Sequence, residues 1–326
     1  MRAVVCRELG PPSALVVETV ADPVPGPGQV LVKVAASGVN FVDGLFVQGR
    51  YQIKPPVPFI AGSEVAGTVA AVGPDAPFGA PRVGDRVVAI AGLGGFAELV
   101  AVAAEAVAVL PADLTMTQGA TFTQSYCTAW FALVRRAALR RGESVLVYGA
   151  GGGVGLAALD TARAVGAVGI AVASSEAKRE AARAAGAAHT IDPGTETVKA
   201  RARELAGGTG VDVVFDPVGG ALAEPGLRAL GDGGRYLVVG FASGTIPSLA
   251  LNQILLRNRA VLGVDWGAWA MANPGEHQAL FDEVLGQAAT GRLRPPEPTR
   301  YPLEQAAQAL EDLLERRALG KLALVP

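Results

Sequence analysis

The sequence predicts an α/β protein with two domains, in which a β-rich part precedes a doubly wound parallel sheet. The chain has 326 residues, more than one domain usually contains. Short β-branched runs separated by glycine and proline fill roughly the first 120 residues, as in a sandwich or barrel. From near Gly119 to about Val264, apolar strands alternate with alanine-rich helical stretches, the pattern of βαβ units on a parallel sheet.

In the β-rich part we expect six strands, because each run is apolar, β-branched and bounded by turn residues. The runs are RAVVCREL, ALVVETV, QVLVKVAASGV, SEVAGTVAAVG, DRVVAIA and FAELVAV.

In the α/β part the order of the elements follows from periodicity. SVLVYG is a buried strand, and the helix VGLAALDTARAVGA follows with Val154, Ala158, Ala162 and Val165 on one apolar face. VGIAVASS is the next strand, and the helix EAKREAARAAG stops at Gly186, which suits a left-handed position. Further strands are HTID, VDVVFD, GRYLVVGF and AVLGVDWG.

Composition excludes several classes of protein. The net charge of −2 gives no reason to expect a nucleic-acid partner. Two cysteines, Cys6 and Cys127, are too few for a disulfide framework or a four-thiolate zinc site. No window reaches about 18 uninterrupted apolar residues, so we expect no membrane span and a cytoplasmic protein.

The stretch VYGAGGGVG, residues 147–155, links the first strand of the α/β part to its helix. Glycines permit close backbone approach, and the helix N-terminus offers free N–H groups to a pyrophosphate. Ala150-x-Gly152-x-x-Gly155 differs by one residue from the usual dinucleotide fingerprint, and Leu156 excludes a Walker loop. The loop therefore predicts a dinucleotide site, with a ligand-free glycine turn as the alternative.

The end of the second strand indicates which dinucleotide binds. An NAD site usually has an acidic residue here, whereas this strand ends in Ser174 and Ser175 with Lys178 nearby. Hydroxyls and a positive charge would bind a 2′-phosphate, which favours NADPH. Alternatively the serines only cap the following helix, and the two roles are compatible.

A catalytic zinc is not expected. The chain has two histidines, His189 and His277, and neither is near a cysteine in the sequence. We expect both to be surface or structural residues and Cys127 to be a small buried apolar residue. Without a Lewis acid, the substrate must already be electrophilic.

Eight segments together resemble the zinc-free quinone oxidoreductase branch of the medium-chain dehydrogenase/reductase superfamily, the zeta-crystallin-like proteins. The resemblance covers nearly the whole chain in order. It implies a GroES-like catalytic domain from residues 1–122, an inserted Rossmann NADPH-binding domain at 123–266, and a return to the catalytic domain at 267–326. The segments are SGVNFVDGLFVQGRY, PFIAGSEVAGTVAAVG, VGDRVVA, GGFAELV, TAWFAL, GESVLVYGAGGGVG, VDVVFDPVGG and GFASGTIPSLALNQILLRNRAVLGVDWGAW.

The resemblance also bears on zinc. Zinc-dependent relatives have a cysteine near the SGVN segment and a histidine before the glutamate of GSEVAG. This chain has Ser37, Gly38 and Asn40 in the first segment and Ser63 before Glu64 in the second. The family resemblance and the count of histidines and cysteines therefore both predict that the protein binds no zinc.

Site residues follow from the resemblance motif by motif. Asn40 would lie beside the nicotinamide ribose and the substrate, and Tyr51 would line the quinone pocket as a hydrogen-bond donor; both are the candidate catalytic residues. The cofactor would contact Asn40, Thr128, Gly152, Gly153, Val154, Ser174, Lys178, Phe241, Val264 and Arg316.

Structural interpretations stay open for several of these residues. Asn40 also suits a local turn, Tyr51 an ordinary half-buried aromatic position, and Arg316 a charge near the end of the last helix. Phe241 is equally consistent with a core position.

The predicted function is hydride transfer from NADPH to a quinone bound in a cleft between the domains, which supplies proximity. One alternative is reduction of enones or enoyl thioesters by a similar enzyme. Another is a non-catalytic NADPH-binding protein. The resemblance also implies a homodimer, in which the strand RAVLGVDWG at the sheet edge pairs with its copy.

Overall fold

The computed structural model describes all 326 residues. They form two compact units. The first consists of Met1–Gln124 and Pro296–Pro326, and the second of Ser125–Pro295.

Sixteen strands follow in chain order. They are β1 (Arg2–Cys6), β2 (Val16–Thr19), β3 (Gln29–Val39), β4 (Phe59–Ile60), β5 (Glu64–Val72), β6 (Arg86–Ile90), β7 (Leu99–Ala103), β8 (Val107–Val109), β9 (Ser144–Val147), β10 (Val168–Val172), β11 (Ala187–Ile191), β12 (Val211–Asp216), β13 (Leu230–Val238), β14 (Ala260–Gly263), β15 (Thr299–Pro302) and β16 (Leu322–Val325).

Eleven α-helices accompany them. They are α1 (Phe41–Val47), α2 (Met116–Ala120), α3 (Thr123–Trp130), α4 (Gly153–Val165), α5 (Glu176–Ala184), α6 (Val198–Leu205), α7 (Ala223–Ala229), α8 (Asn252–Leu255), α9 (Trp266–Ala272), α10 (Pro274–Ala289) and α11 (Ala306–Leu314). None of these helices is both long enough and apolar enough to cross a membrane.

The first unit is built on β3, the longest of its strands. β3 pairs with β5 along its length, with β7 through residues 29–33 and with β16 through residues 37–39. The resulting seven-stranded sheet encloses a core of mostly valine side chains, and β1, β2 and β4 form a separate three-stranded sheet. All six predicted strands are present. Because β16 pairs with β3, the C-terminal tail belongs to this unit, as the GroES-like arrangement implies.

The second unit is a six-stranded parallel sheet with the order β11-β10-β9-β12-β13-β14. Its first and fourth strands along the chain, β9 and β12, are neighbours, so the strand order reverses between them. This is the doubly wound Rossmann order, in which dinucleotides bind outside the carboxyl ends of the strands at the point of reversal. The predicted α/β fold, with the parallel sheet inserted into the β-rich part, is confirmed.

The second unit extends beyond residue 266, where the sequence predicted the return to the first domain, and ends at residue 295. The Trp269 ring of α9 lies 4.7 Å from the Phe131 ring, and the backbone N–H of Arg294 donates to Asp160 Oδ2 at 2.6 Å. Helix α10 buries its apolar face in the same unit. These contacts join residues distant in the chain, so local sequence patterns did not indicate them.

Candidate active site

The glycine loop follows the carboxyl end of β9, and Gly152 is the N-cap of α4. A Cβ atom at Gly155 would lie 2.4 Å from the Gly149 carbonyl oxygen, so only glycine allows α4 to begin this close to the loop. The first N–H groups of a helix have no partner within it. Those of Gly153, Val154 and Gly155 are therefore available to an anionic group at the edge where the strand order reverses.

Lys178 packs against this loop. A Cβ atom at Gly151 would lie 2.6 Å from the Lys178 Cβ, so the stem of the lysine covers the glycine. Ser175 Oγ accepts a hydrogen bond from the Lys178 backbone N–H at 3.4 Å, which confirms the helix-capping interpretation for Ser175. Ser174 is exposed at the end of β10. The structure thus brings the loop, Ser174 and Lys178 to one edge of the sheet.

Arg179 is a contributor that the sequence analysis missed. Its guanidinium donates to the Ala173 carbonyl oxygen at 3.0 Å and forms ion pairs with Glu176 at 2.9 Å and Asp192 at 3.0 Å. Glu176 also pairs with Arg183. The first acidic side chain after β10 is therefore neutralised by two arginines, and it opposes a nearby phosphate much less than a free carboxylate would.

The other cofactor candidates of the second unit are placed by β13, β14 and α3. The Val264 N–H donates to the Val238 carbonyl oxygen at 3.0 Å, and Val264 is buried. Phe241 is 38% exposed and packs on Gly219. Both follow carboxyl ends of parallel strands, so they lie at the same edge as the glycine loop. Thr128 is half-buried within α3.

A second group of polar side chains is buried in the first unit, and we call it the Lys321 cluster: Asn40, Ser63, Glu64 and Lys321. Lys321 Nζ lies 2.8 Å from Glu64 Oε1 and 2.5 Å from Asn40 Oδ1. Asn40 Nδ2 donates to the same Glu64 oxygen at 2.9 Å and approaches Ser63 Oγ at 3.4 Å. The Glu64 side chain is 1% exposed and that of Lys321 is 11% exposed. The amide of Asn40 is thereby fixed in one orientation.

Three neighbouring strands bring this cluster together. Asn40 directly follows β3, Glu64 begins β5, and Lys321 directly precedes β16, while β5 and β16 both pair with β3. Gly38 is opposite Glu64 in the β3–β5 register, and a Cβ atom there would lie 2.5 Å from Glu64 Oε1. The glycine of the SGVN segment therefore makes room for the Glu64 carboxylate.

Asp43 in the first turn of α1 adjoins the cluster. Its Oδ2 accepts a hydrogen bond from the Asn40 backbone N–H at 2.8 Å, whereas Oδ1 has no hydrogen-bond partner. Burial raises the pKa of Asp43 from 3.8 to about 7, although Ser63, the Asn40 N–H and Lys321 oppose the shift. Asp43 is thus a buried carboxyl group that titrates near neutral pH.

The donor set of the cluster does not fit zinc. Zinc prefers thiolate, imidazole and unpaired carboxylate ligands, whereas this cluster offers hydroxyl and amide groups and a carboxylate already paired with an ammonium group. Nowhere in the chain do three histidine, cysteine, aspartate or glutamate side chains form a metal-binding group. His189 is exposed and Cys127 is buried, and His277 stacks on the Phe281 ring.

Tyr51 and Arg316 complete the predicted residues. The half-buried Tyr51 ring packs edge-on against Phe46 of α1, the helix that begins after Asn40, with 5.0 Å between ring centroids. Arg316 is exposed beyond the end of α11 and has a positive φ of 63°. Both belong to the first unit.

Two family descriptions match the chain. Residues 26–120 match "Alcohol dehydrogenase GroES-like domain", and residues 153–284 match "Zinc-binding dehydrogenase". With the Rossmann strand order and the glycine loop, these matches define a two-domain oxidoreductase of the medium-chain dehydrogenase/reductase superfamily.

Individual relatives define the branch. A quinone oxidoreductase-like protein 2 homolog of Nematostella vectensis is 36% identical over 99% of this chain and 88% of its own length. The structures of a mycobacterial protein with NADPH and of Escherichia coli quinone oxidoreductase with NADPH are 33% and 28% identical, with TM-scores of 0.90 and 0.89. Each covers 100% of both chains. The chain belongs to the quinone oxidoreductase branch of this superfamily.

Proposed function

We propose that this protein is a reductase that transfers hydride from NADPH to a quinone and needs no bound metal. The observation that carries the proposal is the ion pair between Lys321 and Glu64, which fixes the Asn40 amide in the SGVN segment. By the family resemblance, zinc-dependent relatives have a cysteine near this segment. The NADPH complexes of the mycobacterial and Escherichia coli relatives support the choice of cofactor.

The residues of the second unit fit a dinucleotide with a 2′-phosphate. Gly152, Gly153 and Val154 would bind the pyrophosphate through backbone N–H groups at the start of α4. Ser174 and Lys178 would bind the 2′-phosphate, and the neutralisation of Glu176 lowers the repulsion at this position. When bound, the nicotinamide ring supplies the hydride.

Further contacts to the cofactor are assigned to Thr128, Phe241 and Val264, the last two on either side of the nicotinamide. Arg316, with its exposed guanidinium, would add a second positive charge for the 2′-phosphate. The residues assigned to the 2′-phosphate would distinguish NADPH from NADH, because only NADPH carries that phosphate. The backbone N–H groups of the glycine loop would bind the pyrophosphate of either cofactor.

Lys321 and Asn40 position and polarise the substrate side of the site. The Asn40 amide is fixed because Lys321 donates to its oxygen and Glu64 accepts from its nitrogen. A fixed polar group requires little reorganisation during a reaction, and the positive charge of Lys321 stabilises negative charge that develops on a substrate oxygen. Tyr51 would donate the proton that this oxygen takes up.

A quinone suits such a site because its reduction restores aromaticity and needs no Lewis acid. A hydride and a proton together convert the quinone to the hydroquinone, and both reactants bound side by side gain the advantage of proximity.

We also propose that two copies of the chain form a dimer through β14 and that the protein acts in the cytoplasm. β14 is the edge strand of the parallel sheet, and the solvent-facing Val261 is 36% exposed. Unpaired N–H and C=O groups on such an edge suit pairing with a second copy across a two-fold axis.

The test is NADPH oxidation by chelator-treated protein with simple quinones as substrates, beside parallel reactions with enones and a crotonyl thioester. We expect quinone turnover without added metal and a preference for NADPH over NADH. A zinc requirement or a severalfold preference for NADH would contradict the proposal. Faster turnover of the crotonyl thioester would assign enoyl reduction instead, and tight NADPH binding without turnover of any substrate would indicate a non-catalytic binding protein.

A further inference from the structure

A cavity of about 380 Å³ in the second unit is surrounded by positive charge. This volume is within the range of small-molecule sites, about 300–1,000 Å³. No carboxylate lines the cavity. Its polar lining consists of Lys199, Arg203, Arg228, Gln253, Arg257 and Arg259.

Arg259 is the buried member of this group, with 8% of its surface exposed. Its guanidinium donates to the Leu230 carbonyl oxygen at 2.6 Å and to the Gln253 carbonyl oxygen at 3.2 Å, while Nε has no partner. A buried charge is usually paired with an opposite charge. Arg259 instead has neutral partners and one unsatisfied N–H group.

Few of the positive charges around the cavity are neutralised. Arg228 pairs with Glu224 at 3.2 Å and Arg257 pairs with Asp232 at 2.8 Å, whereas Lys199, Arg203 and Arg259 form no ion pair. Burial, followed by repulsion from Arg257 and Arg203, lowers the pKa of Arg259. Asp232, the partner of Arg257, acts on Arg259 only as a weaker opposing charge. Lys199, Arg203 and Arg259 thus line one cavity without forming an ion pair.

The backbone beside the cavity is held in an uncommon conformation. Arg257 and Asn258 have positive φ values of 75° and 51°, a region that non-glycine residues adopt infrequently. The Arg257 carbonyl oxygen accepts a hydrogen bond from the Gly233 N–H at 2.7 Å. This turn places Arg257 and Arg259 on the same cavity.

The cavity is separate from the glycine loop. Arg259 directly precedes β14, and the carbonyl group of Leu230 that it contacts begins β13. The strands are parallel, so these amino ends share one edge of the sheet, while the glycine loop follows the carboxyl end of β9 at the opposite edge.

We propose that this cavity binds a diphosphate group through Lys199, Arg203, Arg257 and Arg259. A phosphoryl group carries about −1.5 to −2 charges at pH 7, so two of them match the three unpaired cations. The guanidinium fork pairs with phosphate oxygens through two parallel hydrogen bonds.

The experiment is a calorimetric titration of inorganic pyrophosphate, with ADP in a parallel arm, at constant ionic strength and with NADPH absent or saturating. Arg203→Gln and Lys199→Gln are the test variants, since both side chains lie on α6 and glutamine preserves helix propensity. Arg201→Gln is the matched control: it removes the same charge from the same helix, and Arg201 does not line the cavity. Thermal melts establish that each variant is folded.

We expect pyrophosphate to bind whether or not NADPH is present. Each test variant should weaken the affinity for pyrophosphate by about fivefold or more, whereas the control should change that affinity by less than about twofold. ADP binding at least as tight as pyrophosphate would assign a nucleotide diphosphate, and weaker ADP binding would assign the free diphosphate. No binding at millimolar pyrophosphate, equal weakening by the control, or displacement by NADPH would overturn the proposal.

Discussion

Lys321 Nζ lies 2.8 Å from Glu64 Oε1, although 257 residues separate the two in the chain. The carboxylate is almost completely buried, and its other oxygen accepts a hydrogen bond from the Gln124 N–H at 2.9 Å. Removal of one partner from a buried ion pair leaves an uncompensated charge, whereas removal of both does not. The pair therefore determines both the stability of the first unit and the orientation of Asn40.

Lys321→Met should reduce the free energy of unfolding by about 3–5 kcal/mol because Glu64 is then buried without a counter-charge. The double variant with Glu64→Gln should recover a large part of that loss. Denaturant unfolding of the single and double variants measures the coupling. Arg7→Met, which breaks an exposed pair with Glu18, is the control and should have a much smaller effect. Equal losses in the single and double variants would show that the charges are not coupled.

The same variants test the catalytic proposal. A folded Lys321→Met protein should bind NADPH normally but show a lower kcat, since the Asn40 amide is no longer fixed and the positive charge is lost. Steady-state kinetics with a quinone give the KM for NADPH and the kcat separately. Unchanged kcat in the folded variant would assign Lys321 a purely structural role.

The carboxyl group of Asp43 should make stability depend on pH. Its pKa is raised by burial from 3.8 to about 7, so the folded chain retains a proton that the unfolded chain loses. The free energy of unfolding should consequently fall as pH rises from about 4 to about 7, by about 1.4 kcal/mol for each unit of pKa difference as an upper limit.

Asp43→Asn should flatten this pH dependence, as measured by denaturant unfolding at several pH values. Burial lowers the pKa of His277, so this residue makes the free energy of unfolding rise with pH. That contribution is the same in the wild-type and Asp43→Asn proteins. Asp113→Asn removes an exposed carboxylate of the same unit and should keep the wild-type slope. The same slope in wild-type and Asp43→Asn chains would contradict the shift.

Lys178→Met should raise the KM for NADPH by about tenfold or more, because a charge-assisted hydrogen bond contributes about 1.5–3 kcal/mol. Methionine preserves the apolar stem that covers Gly151, so the loop should stay in place. The KM for NADH should be nearly unchanged. Arg135→Met removes an exposed cation that pairs with Glu283 elsewhere in the same unit, and it is the control. A parallel rise in both KM values would indicate damage to the loop instead of lost recognition.

Gly155→Ala should abolish cofactor binding, because the added Cβ would lie 2.4 Å from the Gly149 carbonyl oxygen and displace the start of α4. Fluorescence titration with NADPH measures the effect. Gly286→Ala in α10 meets no atom within 4 Å and should stabilise the helix by up to about 1 kcal/mol. Normal NADPH affinity in Gly155→Ala would contradict the assigned role of the loop.

Val261→Lys should convert the proposed dimer to a monomer, since a lysine on an edge strand opposes pairing with a second copy. Light scattering coupled to size-exclusion chromatography measures the mass. Val17→Lys on β2 is matched in exposure, at 36% for each valine, and lies at the edge of the other unit's small sheet. It should leave the mass unchanged. A wild-type monomer would refute the dimer directly.

The sequence predicted those features that depend on short segments. Each strand of the parallel sheet overlaps a predicted run, although β11 and β13 begin two and four residues before the runs HTID and GRYLVVGF. The helix of the EAKREAARAAG segment ends before Gly186, which has a φ of 107°. The glycine loop was recognisable because strand, turn and helix are contiguous. Asn40 was found through its motif, but nothing local to it indicated Lys321 or Glu64 as its partners.

Only the tertiary structure decided which distant residues meet. The register of β5 and β16 on β3 joins Lys321 to Glu64, and the packing of α9 and α10 extends the second unit to residue 295. Likewise the cationic cavity collects side chains from three helices and a turn. Hydrophobic periodicity and turn residues act over a few positions, so the sequence by itself determined the elements and the family. Contacts between elements depend on strand order and register, which only the folded chain provides.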